Sequence, residues 1–195
     1  MAGTPVVVVT GPSGAGKGTL ERVVLARIPE LELAVSATTR ARRSSEADGR
    51  EYWFISEDEF ERRVRSGDFL EWVTYVSGNR YGTLRSEIDR IREADKVPLL
   101  DMEIEGALRV RDSVPGSVTV FIDAPSVDEL ERRLRERATE SSGEVDDRLR
   151  LAVEQRRQAG EFDYVIVNDE VSRAAGELEG IVRSELQRAA TMSRQ

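Results

Sequence analysis

The sequence predicts an α/β fold in which helices flank a central parallel sheet, with an inserted subdomain and a mobile lid. Three observations carry that prediction. Short β-branched or apolar runs alternate with segments of helical periodicity. A glycine-rich loop joins the first such run to the first helix. Two charged, irregular stretches, over 37–92 and around 135–148, interrupt the alternation.

The first element is "PVVVVTG", a buried strand ending in glycine, and the apolar spacing from Lys17 to Ile28 before Pro29 predicts the helix that follows. Further strands are expected at 33–38 ("LAVSAT"), 97–102 ("VPLLDM"), 117–124 ("SVTVFIDA") and 164–169 ("YVIVND"). Helices are expected at 104–112, 127–137, 148–159 and 172–190. Within 37–92 the pattern is of short strands plus one helix, opened by Ser56 and Glu59 as a capping box. "RERATESSGEVDDR" reads as the irregular lid segment between two helices. The whole chain, 1–195, reads as one domain: a core of 1–36 and 93–195, a subdomain of 37–92 and a lid of 133–150.

Composition narrows the chemistry. The 195 residues are 39% hydrophobic and 34% charged, as in soluble globular proteins, and no apolar run is long enough for a bilayer. No basic stretch leads into a long apolar segment near the start, so a cytoplasmic setting is expected. There is neither cysteine nor histidine, which excludes disulfides, thiol nucleophiles, imidazole acid–base chemistry and His- or Cys-ligated metals. A net charge of −8 argues against nucleic-acid binding. Local arginine clusters, at 40–50 and 132–148, can still hold small anions within an acidic molecule. None of these features fixes an oligomeric state.

"GPSGAGK" carries the most chemistry. Its glycines let backbone N–H groups turn inward around an anion, the next helix points its positive end at it, and Lys17 adds a full charge. Gly11, Pro12, Ser13, Gly14, Ala15, Gly16, Lys17, Gly18 and Thr19 are the expected phosphate-donor site. Gly18 stands where GxxxxGK[ST] loops place a magnesium-touching hydroxyl. With no direct protein ligand assigned, Mg2+ is expected to bind through nucleotide phosphates and water.

"GAGKGT" is similar to the loop of adenylate kinases, in which glycine and threonine likewise follow the lysine. Beyond it, "SATTRARRSSEADGREYWF", "FLEW", "GNRYGT" and "LLDMEIEG", with "RRLRERATE", "DRL" and "VIVND", resemble the guanylate kinases, P-loop kinases of nucleoside monophosphates, over nearly the whole chain. The resemblance implies ATP-dependent phosphorylation of GMP, and of dGMP, with ATP and GMP as substrates and Mg2+ as cofactor. It implies that Arg40, Arg43, Tyr52 and Tyr81 hold the GMP phosphate and that Ser36, Glu71 and Thr83 read the base, with Glu46 and Asp101 nearby. Arg133, Arg137 and Arg148 match lid arginines that close on ATP, and Asn168 matches a residue beside the adenine. Lys17, Arg40, Arg137 and Arg148 are then the expected catalytic groups. The chain departs from the family pattern at Ala41–Ser45, where RxPRxGE is usual, at "ERAT" in place of GRGT, and at Glu103, usually aspartate. The alternatives are a kinase of this architecture with another phosphorylated acceptor and a non-catalytic binding module of the same fold.

Overall fold

The computed structural model describes residues 5–75, 77–137 and 142–192. The strand β1 (Val7–Thr10) is buried at every position and sits at the centre of the main sheet. Its neighbours are β7 (Val97–Asp101) and β8 (Val118–Asp123), with β2 (Leu31–Leu33) and β9 (Tyr164–Val167) at the edges. All four pairings are parallel, with Val8 opposite both Leu100 and Thr119. A strand covered on both faces needs apolar residues in succession rather than in alternation, which is what "VVVV" supplies.

The two faces separate by the strand period of two. Val7 and Val9 pack with Leu20 and Val24 of α1 (Lys17–Arg27) and with Leu178 and Val182 of α7 (Val171–Met192). Val6 and Val8 face Ile88 and Ile91 of α3 (Arg85–Glu93) and Ile104, Ala107 and Val110 of α4 (Ile104–Ser113). Helices therefore cover both faces, as the sequence predicts. Among the described residues no helix is long and apolar enough to cross a membrane.

The second sheet has four short strands in the order β4 (Trp53–Phe54), β3 (Ala37–Thr38), β6 (Arg80–Leu84) and β5 (Phe69–Thr74). Its own small core joins Phe60 of α2 (Glu57–Arg65) to Ala37, Phe69 and Leu84. Ser56 caps α2 by accepting from the Glu59 N–H at 3.2 Å. The box is half made, because the Glu59 carboxylate accepts from Arg62 and Arg63 instead of reaching back.

Three local expectations differ from the structure. The run 33–38 is not one strand: β2 ends at Leu33 in the main sheet and β3 begins at Ala37 in the second. Between them the Ala34 N–H donates to the Leu99 carbonyl, the Val35 N–H to Glu87 Oε1, and the Ser36 carbonyl accepts from the Trp53 N–H. One extended segment thus passes from sheet to sheet, and its apolar pattern is the same in both. The stretch 135–148 is not irregular throughout, since α5 (Val127–Arg137) runs to its start and α6 (Ser142–Arg156) begins within it. The helix expected over 148–159 accordingly starts earlier and stops at Arg156, followed by a 3₁₀ turn at Ala159–Glu161. The helix α3 was not among the expected elements.

Candidate active site

The phosphate loop leaves the C-terminal end of β1 and enters α1. Gly11, Gly14 and Gly16 have φ of 141°, 89° and 92°, values that favour glycine. Space is short as well. A Cβ on Gly11 would stand 2.0 Å from the Ile122 carbonyl oxygen, and one on Gly16 2.4 Å from Asn168 Nδ2. Gly11→Ala combines backbone strain with a clash against main chain that cannot rotate away. It should lower stability by about 2 kcal/mol or more, read as a fall in the urea midpoint, and weaken ADP binding.

Predicted donor-site residues converge on this loop. Asn168 donates through Nδ2 to the Ala15 carbonyl at 2.7 Å. Arg133 reaches the same carbonyl at 3.3 Å and the Asn168 carbonyl at 2.9 Å. Arg148, from α6, donates to Ser13 Oγ at 2.8 Å. The Pro12 carbonyl accepts from the Ala15 N–H at 3.2 Å, closing the turn. Gly14, Gly16, Thr19, Arg133 and Asn168 line a cavity of about 240 Å³. Arg137 closes α5, and its side chain lies outside the described residues, as does the departure at Ala138.

Lys17 joins this loop to a second cleft. Its Nζ donates to the Gly11 carbonyl at 2.8 Å, and the same side chain lines a cavity of about 170 Å³ shared with Ser36, Tyr52, Glu71, Tyr81 and Asp101. These come from both sheets: Asp101 ends β7, whereas Glu71 and Tyr81 lie on β5 and β6. Glu71 is 7% exposed and its Oε1 accepts from both the N–H and the hydroxyl of Thr83, each at 3.0 Å. Burial pushes the Glu71 carboxyl above the usual range, against the pull of the Thr83 bonds and the Arg109 charge. Asp101 is exposed at the end of β7, yet the crowded cleft wall around its carboxyl pushes it up, as does Glu103, with Lys17 opposing.

Arg40 lies beside the cleft, 5.5 Å from the Tyr52 ring centroid, bonded to Glu46 at 2.8 Å and to the Ala41 carbonyl at 2.9 Å. The hydrogen bond from Arg40, together with the Arg43 backbone N–H, holds the Glu46 carboxyl below the usual range. Arg43 itself is exposed. The structure thus gathers Ser36, Tyr52, Glu71, Tyr81 and Asp101 around Lys17. It sets Thr83 behind Glu71, and places Arg40 and Glu46 as an ion pair beside Tyr52.

Two groups are present that sequence reasoning passed over. Tyr75 packs edge-on to Tyr81 at 4.9 Å and donates to Glu103 Oε1 at 2.8 Å. Its signal was the strand period, since Glu71 and Val73 alternate along β5, Tyr75 continues the alternation one residue past its end, and all three line the cleft. Glu21 sits one helical turn beyond Lys17, 5% exposed, with its carboxyl pushed up to about 8 by burial and the Asp101 charge. Its signal was a carboxylate at i+4 from the loop lysine on an otherwise inward face.

Comparison with known proteins decides the family, for the guanylate kinase family model matches residues 3–185. The chain belongs to the guanylate kinase family. The guanylate kinase of Rubrobacter xylanophilus is 48% identical over 177 residues, covering 91% of this chain and 92% of its own length. That of Symbiobacterium thermophilum is 46% identical over 179 residues, with 92% and 84% covered. The crystal structure of guanylate kinase from Anaplasma phagocytophilum superposes with a TM-score of 0.74 at 29% identity, covering 94% of this chain and 87% of that one. Transfer from ATP takes a divalent metal, and the residues present fit one. Glu21 and Asp101 are two carboxyl groups near enough to Lys17 to feel its charge, and Glu21 Oε1 is a buried acceptor without a hydrogen-bond partner among the described residues. Among the described residues no group of three or more aspartates or glutamates is placed to hold a metal ion.

Proposed function

We propose that this guanylate kinase transfers the γ-phosphoryl group of Mg2+-bound ATP to GMP, and to dGMP, giving the diphosphate and ADP, with the residues gathered around Lys17 as its site. ATP-dependent phosphorylation of GMP is the activity of the family to which the chain belongs. The observation that carries the assignment of roles is the place of Lys17, on the phosphate loop and on the wall of the acceptor cleft at once.

The accepting oxygen of GMP is already anionic, so no general base is required, which fits a chain with no histidine. Catalysis is then alignment plus stabilisation of charge on the moving group. Backbone N–H groups of residues 11–19, with Lys17, bind the donor phosphates. Arg148 and Arg133, already at the loop, and Arg137 stabilise the transferring group as the lid residues 133–150 close and exclude water. Mg2+ supplies charge neutralisation on the β- and γ-phosphate oxygens when bound. Asn168 flanks the adenine.

On the acceptor side Arg40, Arg43, Tyr52 and Tyr81 take the GMP phosphate. The anion displaces Glu46 as the partner of Arg40 in this reading, because a guanidinium fork meets phosphate as well as carboxylate. Ionised Glu71 accepts from guanine N1–H and N2–H. The Thr83 hydroxyl is directed at Glu71, so Thr83 orients the carboxylate and Ser36 is the hydroxyl left to donate to guanine O6. Asp101 closes the floor beside Lys17. A cytoplasmic setting goes with these substrates.

The test is ADP release with ATP and Mg2+ against a panel of GMP, dGMP, AMP, CMP, UMP and dTMP. Turnover is expected on GMP and dGMP, with AMP poorer by about 10⁴-fold in kcat/KM. No turnover on GMP at millimolar ATP and Mg2+ would sink the proposal.

A further inference from the structure

Gly18 removes from its position in the loop the hydroxyl that usually touches the metal. Three residues on, and so on the same face of α1, stands Glu21. A Cβ built on Gly18 would lie 4.0 Å from Glu21 Oε2, and that is the nearest atom it would meet. The carboxylate therefore borders the space that a serine or threonine side chain at this position would enter.

Glu21 is also out of place as a packing group. It is 5% exposed, its flanking core neighbours on α1 are Leu20 and Val24, and Oε1 has no hydrogen-bond partner among the described residues. Lys17 donates to the Gly11 carbonyl, and the other charges acting on Glu21 are Asp101, which opposes its ionisation, and Lys17, which favours it. A buried carboxylate oxygen left unpaired beside a second carboxylate is unfavourable unless a proton neutralises it or a cation completes the group. Mg2+ binds in this manner, through one or two carboxylates, substrate phosphates and retained water.

We propose that Glu21 takes over the role of the missing loop hydroxyl, so that its carboxylate, with Asp101, holds the hydrated divalent cation that accompanies the donor nucleotide. The assignment rests on the metal–ATP reading above. It makes Gly18 and Glu21 a matched pair: the glycine leaves the opening and the glutamate, one turn deeper, reaches towards it.

Mn2+ serves as the probe, its binding to the protein–ADP complex followed by electron paramagnetic resonance, with ADP affinity in chelator measured alongside by calorimetry. In Glu21→Gln, which keeps size and shape, Mn2+ should bind the ADP complex about 10-fold or more weakly than in the unaltered protein. ADP affinity without metal should not fall, since the amide fills the same space as the carboxyl group. Adding Gly18→Ser to Glu21→Gln should recover most of the lost Mn2+ affinity. Equal Mn2+ affinity in Glu21→Gln and the unaltered protein would overturn the role of Glu21 while leaving the metal–nucleotide reading intact. A fall in metal-free ADP binding as large as the fall in Mn2+ binding would mark Glu21 as a packing residue and overturn it too. If ADP failed to strengthen Mn2+ binding even in the unaltered protein, the metal–ATP reading would fall and this inference with it.

Discussion

Glu71→Ala should lower kcat/KM for GMP by about 10³-fold while leaving ATP binding nearly unchanged. Two charge-assisted hydrogen bonds to the base are lost, each of roughly 1.5–3 kcal/mol, and the Thr83 N–H and hydroxyl lose their buried acceptor. AMP should lose far less, because adenine N1 is an acceptor and gains nothing from a carboxylate there. The pH profile offers a second reading of the same group. Only ionised Glu71 accepts both guanine protons, and burial raises its carboxyl above the ordinary value, against Thr83 and Arg109, which pull it down. As pH falls through that raised value, kcat/KM for GMP should decline, and the decline should begin above the pH at which a solvent-exposed glutamate titrates, about 4.3. Glu71→Gln cannot titrate and should lose that acid limb. Equal losses for AMP and GMP in Glu71→Ala would contradict base reading by this residue.

Much of this was legible in the sequence, and the reasons are local. "VVVVTGPSGAGK" declares a covered strand, a tight anion-binding turn and a helix start through its own residue types, and each took the predicted place. The strands from Val97, Val118 and Tyr164 were equally plain because apolar runs end in polar residues at the sheet's C-terminal edge, where Asp101, Asp123 and Asn168 stand. The break in "LAVSAT" was not legible. Which sheet a residue joins depends on distant partners, Leu99 for Ala34 and Gly82 for Ala37, and the run itself is apolar in either case. The helix α3 was hidden for a different reason: it turns a single edge inward, Ile88 and Ile91, and buries a charged residue, Glu87, by bonding it to the Val35 N–H and to Arg90. For the site, residue types and their family pattern named Ser36, Tyr52, Glu71, Tyr81 and Asp101, which the structure gathers around Lys17. They did not show that Thr83 stands behind Glu71, that Arg40 is held by Glu46, or that Glu21 faces Gly18.

Lys17→Ala should lower kcat by about 10²–10³-fold with little change in GMP affinity, the size expected for one preorganised charge facing the transferring group. The contrast with Glu71 follows from position. In the proposed assignment Glu71 recognises a base that is the same before and during transfer, so its loss acts on substrate selection, whereas Lys17 meets charge that develops between donor and acceptor. Stability should not account for the result. Lys17 opens α1, where a positive charge opposes the helix dipole, and among the described residues its side chain's one hydrogen bond is to the Gly11 carbonyl. Against that, its removal takes a counter-charge from Glu21 and Asp101, both of which it pulls down, so their carboxyl groups should rise further. Lys17→Met, which keeps the stem but not the charge, separates the two effects. If charge on the moving group is what Lys17 stabilises, Met should be as slow as Ala in single-turnover transfer, and GMP binding by calorimetry should stay within about threefold. A rise in KM for GMP with kcat preserved would instead place Lys17 in ground-state binding and remove it from the transfer step.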